Sequence, residues 1–206
     1  MDILQSELGF IDNNDLNKEV ESLLYDDRTI IIDKELDTRI LRDVVLHIVQ
    51  WNKEDVDIPK EKRKPIKLVI DSEGGNVICT LNLIDIIKSS VTPVYGVAFS
   101  LAASSAAYIL IACDKRFAFK HSTILLHDGT QAVYHTANKA KDTMRYYDRL
   151  DNIMKNLVVS NTHIVEEEYE NNKDREQYFF AEEAKEKGII DYIINVDIPM
   201  DEVLWV

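Results

Sequence analysis

Three strand-like apolar runs, each followed by a run with helical spacing, fill residues 28–112 and constrain the fold more than any other feature. The strand-like runs read RTIIID, IKLVI and VYGVAF. The run after the second one places apolar side chains three or four residues apart, at Val77, Leu81, Ile84 and Ile87. Chains in which strands and helices alternate fold into a mainly parallel sheet with right-handed crossovers. The sequence therefore predicts an α/β fold.

Two motifs rich in small residues follow the second and third strand-like runs. DSEGGN, residues 71–76, comes directly after IKLVI, and SLAASS, residues 100–105, comes directly after VYGVAF. Ligands of parallel sheets gather at the carboxyl ends of the strands, so we expect the two motifs to meet across neighbouring strands. The alternative is structural, because small residues also allow tight helix packing and serine hydroxyls can bond back to the preceding turn.

A long amphipathic helix is predicted over about residues 136–161. An apolar stripe of this length needs a partner surface, and a second subunit is a natural one. Before this helix, RFAFKHSTILLHDG predicts two short strands with His127 just past the second. After it, AEEAKEKGIIDYII predicts a short helix that is closed by Gly188 and followed by a strand.

Length and charge narrow the classes of function. A chain of 206 residues suits one domain with a substantial core. The net charge of −13 argues against nucleic acid as the main partner, because phosphate binding needs a cationic face. No window approaches the roughly 20 apolar residues of a membrane helix, and the first residues lack the features of a signal peptide. We therefore expect a cytoplasmic protein without a membrane partner, in which Cys79 and Cys113 are reduced packing residues.

Five segments carry a resemblance when they are taken together. They read LLYDDRTIII, IDSEGGNV, LAASSAAYILIA, KRFAFKHSTILLH and FFAEEAKEKGIIDYI. In this order they resemble the proteolytic subunit of the ATP-dependent Clp protease, the ClpP family, from Leu23 to Asn195. The resemblance implies a ClpP-like and crotonase-like βαβ spiral, with a mainly parallel sheet and an extended handle helix.

The same resemblance divides the chain into three regions. Residues 1–22 correspond to an axial-loop-like amino-terminal segment. Residues 23–195 correspond to the serine peptidase domain, which includes the handle helix over about 136–161. Residues 196–206 form a carboxyl-terminal tail.

The resemblance also assigns catalytic roles to particular residues. The family nucleophile is the serine after the paired alanines, here Ser104, and the family general base is His127. A serine hydroxyl is a poor nucleophile until a base takes its proton, so the reaction needs both groups. The backbone amides of Gly74 or Gly75 and of Ser105 are expected to form the oxyanion hole.

The acid is where this sequence departs from the family pattern. The family carries an aspartate five residues before the first alanine of the AEEA motif, and counting back from Ala181 gives Glu176. Glutamate can hold a histidine tautomer, as Ser-His-Glu triads show, although its longer side chain needs the backbone set further back. Asp174, two residues earlier, is the alternative acid. A third interpretation stays open, in which NNKDREQ is a solvated acidic loop.

The resemblance implies partners as well as chemistry. It implies an endopeptidase that cleaves peptides or unfolded proteins through an acyl-enzyme, in a homo-oligomer of two stacked heptameric rings, without metal or organic cofactor. A separate AAA+ unfoldase would hydrolyse ATP, since this chain has no GxxxxGK phosphate loop. Lys67 and Val69 replace the aromatic residues with which the family docks that ATPase. An unpaired charge at Lys67 predicts weak coupling to the ATPase.

Two functions of other classes stay open. A catalytically silent ring subunit that modulates an active paralogue would explain the altered acid position. A crotonase-type acyl-CoA enzyme would share the fold and the oxyanion hole, but it would not need Ser104 and His127 as a pair. Reaction of Ser104 with a fluorophosphonate would favour the peptidase, whereas CoA binding would favour the crotonase-type enzyme.

Overall fold

The computed structural model describes residue 20 and residues 22–129 and 132–204. Most of the predicted axial-loop-like segment, residues 1–19 and 21, therefore lies outside the described residues, as do residues 205–206 of the tail. The three-region division of the chain stays a prediction.

The described elements follow the predicted order along the chain. The strands are β1 Thr29–Ile32, β2 Ile66–Ser72, β3 Val94–Ala103, β4 Lys115–Phe119, β5 Thr123–Leu126, β6 Gln177–Phe180 and β7 Tyr192–Ile194. The helices are α1 Leu46–Glu54, α2 Val77–Ser89, α3 Ser105–Ala112, α4 Ala137–Asn161, α5 Glu166–Asn172, α6 Ala181–Glu186 and α7 Asp201–Leu204. A π-helical turn, Leu41–Val45, runs directly into α1, and a short 3-10 helix, Lys60–Lys62, precedes β2.

The described strands form one mainly parallel sheet, which confirms the predicted fold class. The order across the sheet is β1-β2-β3-β4-β7, and all of these neighbours run parallel. β5 also pairs in parallel with β3, and β6 is antiparallel to β5. The glycine turn after β2 and the serine pair after β3 consequently lie at the carboxyl ends of adjacent strands, as predicted.

β3 divides its pairing between two neighbours on the same side. Residues 95–98 of β3 pair with β4. Residues 101–103, at the end of the strand, pair with β5 instead. Near its carboxyl end β3 therefore stands between β2 and β5, so the elements that carry the serine pair and His127 are hydrogen-bonded neighbours.

Each face of the sheet is covered by a different part of the chain. The inner face packs against the helices of the main core, where Leu68, Ile70 and Leu110 are fully buried. The outer face packs against residues 198–204, which include α7. We define the outer face by the side chains of Val69, Val97, Phe117, Phe119 and Ile194.

The predicted handle helix is confirmed as α4, whose bounds match the prediction closely. Of its 25 residues, only Met154 and Val158 are buried. Met144, Tyr146 and Ile153 are each close to half exposed. A helix of this length with so few buried residues contributes most of its surface to something other than the core of its own subunit.

Candidate active site

Ser104 lies between β3 and α3 in a backbone conformation that serine rarely adopts. Its φ of 53° and ψ of −126° fall outside the regions open to most non-glycine residues. The Ser104 N–H donates to the carbonyl of Leu125 at 2.9 Å, and the Ser104 carbonyl accepts from the N–H of Ala107 at 3.0 Å. Strand and helix thus enforce a strained strand-to-helix turn, the geometry that presents the nucleophile of many hydrolases at the edge of a sheet.

The glycine turn after β2 packs directly against this junction. A Cβ atom on Gly74 would lie 2.6 Å from the Ala103 carbonyl oxygen and 2.9 Å from Cβ of Ser104. Gly74 also has a φ of 98°, which side chains disfavour. Only glycine therefore allows the turn to approach Ser104 so closely.

The backbone N–H groups of Gly74 and Gly75 point in different directions. The Gly74 N–H donates to the Ser72 hydroxyl at 3.1 Å. Leu36 brackets Gly75 by donating to the Gly74 carbonyl at 2.8 Å and accepting from the Asn76 N–H at 2.7 Å. In such a parallel bridge the residue between the two bonded ones, here Gly75, directs its own N–H and C=O away from the partner strand, that is, away from Leu36. The Gly75 N–H therefore faces Ser104, and among the described residues no acceptor forms a hydrogen bond with it.

Ser105 has a role that the sequence did not reveal. Its buried hydroxyl donates to the Gly75 carbonyl at 3.0 Å, which ties the glycine turn to the start of α3. Its N–H belongs to the first turn of α3, where backbone donors have no carbonyl within the helix. The amides of Gly75 and Ser105 thus flank Ser104, and two backbone donors in this position have the arrangement that an oxyanion hole requires. Only the adjacency of Ser105 to Ser104 could have signalled this contact.

His127 follows β5 and lines the same cavity as Ser104, Ser105 and Gly75. The cavity has a volume of about 630 Å³, within the usual range for ligand sites. Among the described residues, no hydrogen bond joins the Ser104 hydroxyl to the His127 ring. The structure thus brings the predicted nucleophile and the predicted base into one cavity without the direct contact that proton transfer needs.

One part of the lining of this cavity is mainly apolar and aromatic. It is built from the start of α2 and from the middle of α4. The side chains that form it are Val77, Ile78, Tyr146, Tyr147, Leu150 and Met154. Apolar walls suit an extended peptide with bulky side chains, and they contain no further candidate nucleophile or base.

Glu176 and Asp174 are both exposed, and strand register distinguishes them. β5 and β6 pair in antiparallel register up to Leu126 opposite Gln177. The pairing ends there, because the next hydrogen bond, from the Asp128 N–H to the Lys173 carbonyl, is out of this register. Glu176 directly precedes the paired residue Gln177. Tyr178 donates its hydroxyl to Oε2 of Glu176 at 2.8 Å. Asp174 lies two residues earlier, in the turn between α5 and β6. Neither carboxylate lines the cavity of Ser104 and His127, and among the described residues neither is hydrogen-bonded to the His127 ring.

Lys67 is not the unpaired charge that the sequence predicted. Its side chain is fully buried, with Nζ 2.6 Å from Oδ2 of Asp27 and 2.8 Å from the carbonyl oxygen of Leu204, to which it donates. Lys64 binds the other oxygen of Asp27 at 2.7 Å. Burial lowers the pKa of Lys67, and hydrogen bonds from the two lysines lower the pKa of Asp27 although burial opposes this. The prediction was wrong because distant segments converge on this side chain.

Other kinds of site find no support in the ranges 22–129 and 132–204. No helix there is both long enough and apolar enough to cross a membrane. No three or more His, Cys, Asp or Glu side chains there are grouped so that they could hold a metal ion. Cys79 and Cys113 are free thiols, and Cys113 is buried, in keeping with a packing role.

Known proteins resemble this chain over most of its length. The family model for Clp protease matches residues 12–197. An ATP-dependent Clp protease proteolytic subunit from Cyanophora paradoxa is 31% identical and is matched over 87% of this chain and 93% of its own length. Proteolytic subunit 1 from Bacillus cereus is 29% identical, over 86% and 90%, and proteolytic subunit 2 from Corynebacterium diphtheriae is 28% identical, over 87% and 88%.

Proposed function

The chain belongs to the Clp protease family, and from this premise we propose that it is a cytoplasmic serine endopeptidase that cleaves peptides and unfolded proteins. One observation carries the proposal. The strained turn at Ser104 faces a cavity that also holds His127 and the unoccupied Gly75 amide. A serine held at a cost in strain, beside a base and backbone donors, is arranged for acyl transfer.

Attack begins with the Ser104 hydroxyl. His127 accepts its proton while Oγ adds to the carbonyl carbon of the scissile peptide bond. The two groups need to come within hydrogen-bond reach, and in unliganded enzymes such contacts are often long until substrate tightens them. A peptide lying along the apolar wall of α4 would exclude water from the cavity and favour that approach.

The negative charge that forms on the carbonyl oxygen needs donors that are already in place. The amides of Gly75 and Ser105 supply them, and the Ser105 hydroxyl keeps the glycine turn in position. His127 then protonates the leaving amine, which releases the first product and leaves an acyl group on Ser104. A water molecule, deprotonated by His127, hydrolyses that ester and restores the free serine.

Glu176 is proposed as the acid that orients His127. Glu176 directly precedes Gln177, the residue that pairs with Leu126 beside His127, and this supports the assignment over Asp174. A carboxylate beside the ring would hold the productive tautomer and stabilise the imidazolium that forms during attack.

Assembly through α4 is proposed as the family resemblance implies, as two stacked heptameric rings. The support from this chain is the exposure of α4, which leaves Met144, Tyr146 and Ile153 partly in solvent. Pairing of α4 between facing subunits would bury these side chains. Because Tyr147, Leu150 and Met154 of the same helix line the cavity, assembly would also stabilise the wall of the active site.

Covalent labelling tests the proposed chemistry. A fluorophosphonate probe should form one adduct, mapped by mass spectrometry to the peptide containing Ser104, and hydrolysis of a short fluorogenic peptide should fall in parallel. A silent ring subunit would give neither an adduct nor hydrolysis. A crotonase-type enzyme would give no adduct but would bind CoA in calorimetry, so either result would contradict the peptidase.

Coupling to an ATPase is proposed to be weak, for a reason that differs from the sequence-based one. The outer face, where the family resemblance places the docking side chains, is packed against residues 198–204 of the chain itself. Val203 is fully buried there, and Lys67 binds the carbonyl oxygen of Leu204. A docking loop would have to displace this segment before it could reach the apolar side chains underneath.

Release of the segment should therefore raise coupling. The intact chain should hydrolyse short peptides but degrade a folded, tagged protein slowly with a Clp ATPase and ATP. Val203→Asp places a charge in the apolar contact and should free the segment, so that ATP-driven degradation rises while peptide hydrolysis persists. Glu202→Gln, at the exposed neighbouring position, is the matched control. Fast degradation by the intact chain, or equal rates for the two variants, would contradict the proposal.

A further inference from the structure

Two tyrosines outside the proposed triad meet beside the catalytic cavity. The hydroxyl oxygens of Tyr108 and Tyr169 lie 3.2 Å apart, and the two residues are only 4% and 8% exposed. Burial raises the pKa of both phenols, so both keep their protons and either can donate. Buried hydroxyls need partners, and this contact joins α3 to α5 across 61 positions of the sequence.

The Tyr108 end of the contact is tied to the nucleophile. Tyr108 lies one helical turn after Ser104, and its N–H points to the Ser104 carbonyl at 3.4 Å. Its side chain lines the cavity that contains Ser104 and His127. A shift of Tyr108 would therefore also displace the backbone of Ser104.

The Tyr169 end is tied to the segment that carries the acid. α5 ends at Asn172, and the chain then makes a tight turn in which the Arg175 N–H donates to the Asn172 carbonyl at 3.0 Å. In the same turn the Lys173 carbonyl accepts from the N–H of Asp128, the residue after His127, at 3.2 Å. Glu176 is thus held by β6 on one side and by α5 on the other.

We propose that Tyr169, through its hydroxyl contact with Tyr108, is a positioning residue that holds the segment of Glu176 against the end of β5 that carries His127. The contact fixes α5 against the helix that starts at the nucleophile, and α5 in turn fixes one end of the turn that leads to Glu176. Tyr169 is not among the residues that line the catalytic cavity, and it lines a separate cavity with Asp128 and Lys173. The inference rests on the proposed function, because it needs a peptidase in which Glu176 orients His127.

Tyr169→Phe tests the inference, because it removes one hydroxyl and keeps the ring. We expect kcat for a fluorogenic peptide to fall about 10- to 100-fold with KM almost unchanged, since a small misplacement of a catalytic group can cost up to about 10²-fold. Tyr25→Phe, on a partly exposed ring that packs against His47 and Trp51, is the control and should match the parent. An unchanged kcat in Tyr169→Phe would overturn the inference.

The route through the acid is tested by a double-mutant cycle. In a Glu176→Gln background, Tyr169→Phe should cause no further loss, because the group that it positions is already gone. A further loss as large as in the parent background would overturn the inference, since the hydroxyl would then act by another route. A parent chain without peptidase activity would overturn the proposed function itself, so the two failures are distinguishable.

A stability effect is separated from positioning by removing both hydroxyls. Tyr169→Phe alone leaves the Tyr108 hydroxyl buried without its partner, whereas Tyr108→Phe combined with Tyr169→Phe leaves two apolar rings in contact. We expect the melting temperature to recover in the double variant while kcat stays low. Recovery of kcat together with the melting temperature would overturn the inference.

Discussion

Ser104→Ala should lower kcat for peptide hydrolysis by about 10⁶-fold, the order of loss expected when the nucleophile of a serine peptidase is removed. Alanine carries a Cβ like serine, so it meets the same strain at a φ of 53° and keeps the hydrogen bonds of the Ser104 backbone. We therefore expect an unchanged fold and an unchanged particle mass. Steady-state kinetics, circular dichroism and light scattering on the same preparation check these three expectations.

Ser105→Ala is the matched control for this variant. It keeps the Ser105 amide and removes only the hydroxyl that donates to the Gly75 carbonyl. The glycine turn would lose one tether, so we expect a loss of about 10-fold, far below the loss of a whole oxyanion donor at about 10² to 10³-fold. Equal losses in both variants, with the fluorophosphonate adduct on Ser105, would show that the nucleophile has been assigned to the wrong serine.

Glu176→Gln should lower kcat by about 10⁴-fold with little change in KM, as when the histidine of a triad is held in the wrong tautomer. Glutamine has nearly the size of glutamate, and its side-chain oxygen can still accept the hydrogen bond from Tyr178, so the turn before β6 should stay folded. The loss would therefore report the missing charge beside His127. Rates measured over a range of peptide concentrations separate kcat from KM.

Asp174→Asn is the control for the acid. Asp174 is exposed and lies in the turn before β6, three residues from the paired residue Gln177, so this variant should keep nearly the rate of the parent. The opposite result, with Asp174→Asn inactive and Glu176→Gln unaffected, would transfer the role to Asp174. Two variants that both keep the parent rate would leave a peptidase that works with a Ser-His pair alone.

The sequence predicts those parts of the fold that depend on local pattern. The spacing of apolar residues predicts the handle helix over about 136–161, and α4 spans Ala137–Asn161. RFAFKHSTILLHDG predicts two strands, and β4 and β5 are found there. EEEYENNKDREQ shows no clear periodicity, so α5 and β6 were not predicted, although they carry Tyr169 and position Glu176.

Contacts between distant segments explain what the sequence could not predict at the site. The sequence does not distinguish Gly74 from Gly75 as an oxyanion donor. Only the bridge between Gly75 and Leu36 shows which of the two amides faces Ser104. Lys67 looked like a charge on an open surface because Asp27 and Leu204 are distant in sequence. The family resemblance predicts Ser104 as nucleophile and His127 as base, and the strand order explains why these two residues share a cavity.

The split pairing of β3 gives the parts of the proposed triad different tolerance to evolutionary change. Ser104 directly follows β3 and donates its N–H to the carbonyl of Leu125, two residues before His127, so an insertion or deletion in this strand pair would displace the proposed nucleophile and base together. The proposed acid instead follows the turn between α5 and β6, outside both paired segments, where the chain can change length or side chain without disturbing Ser104. A glutamate in place of an aspartate is the kind of substitution that such an arrangement permits.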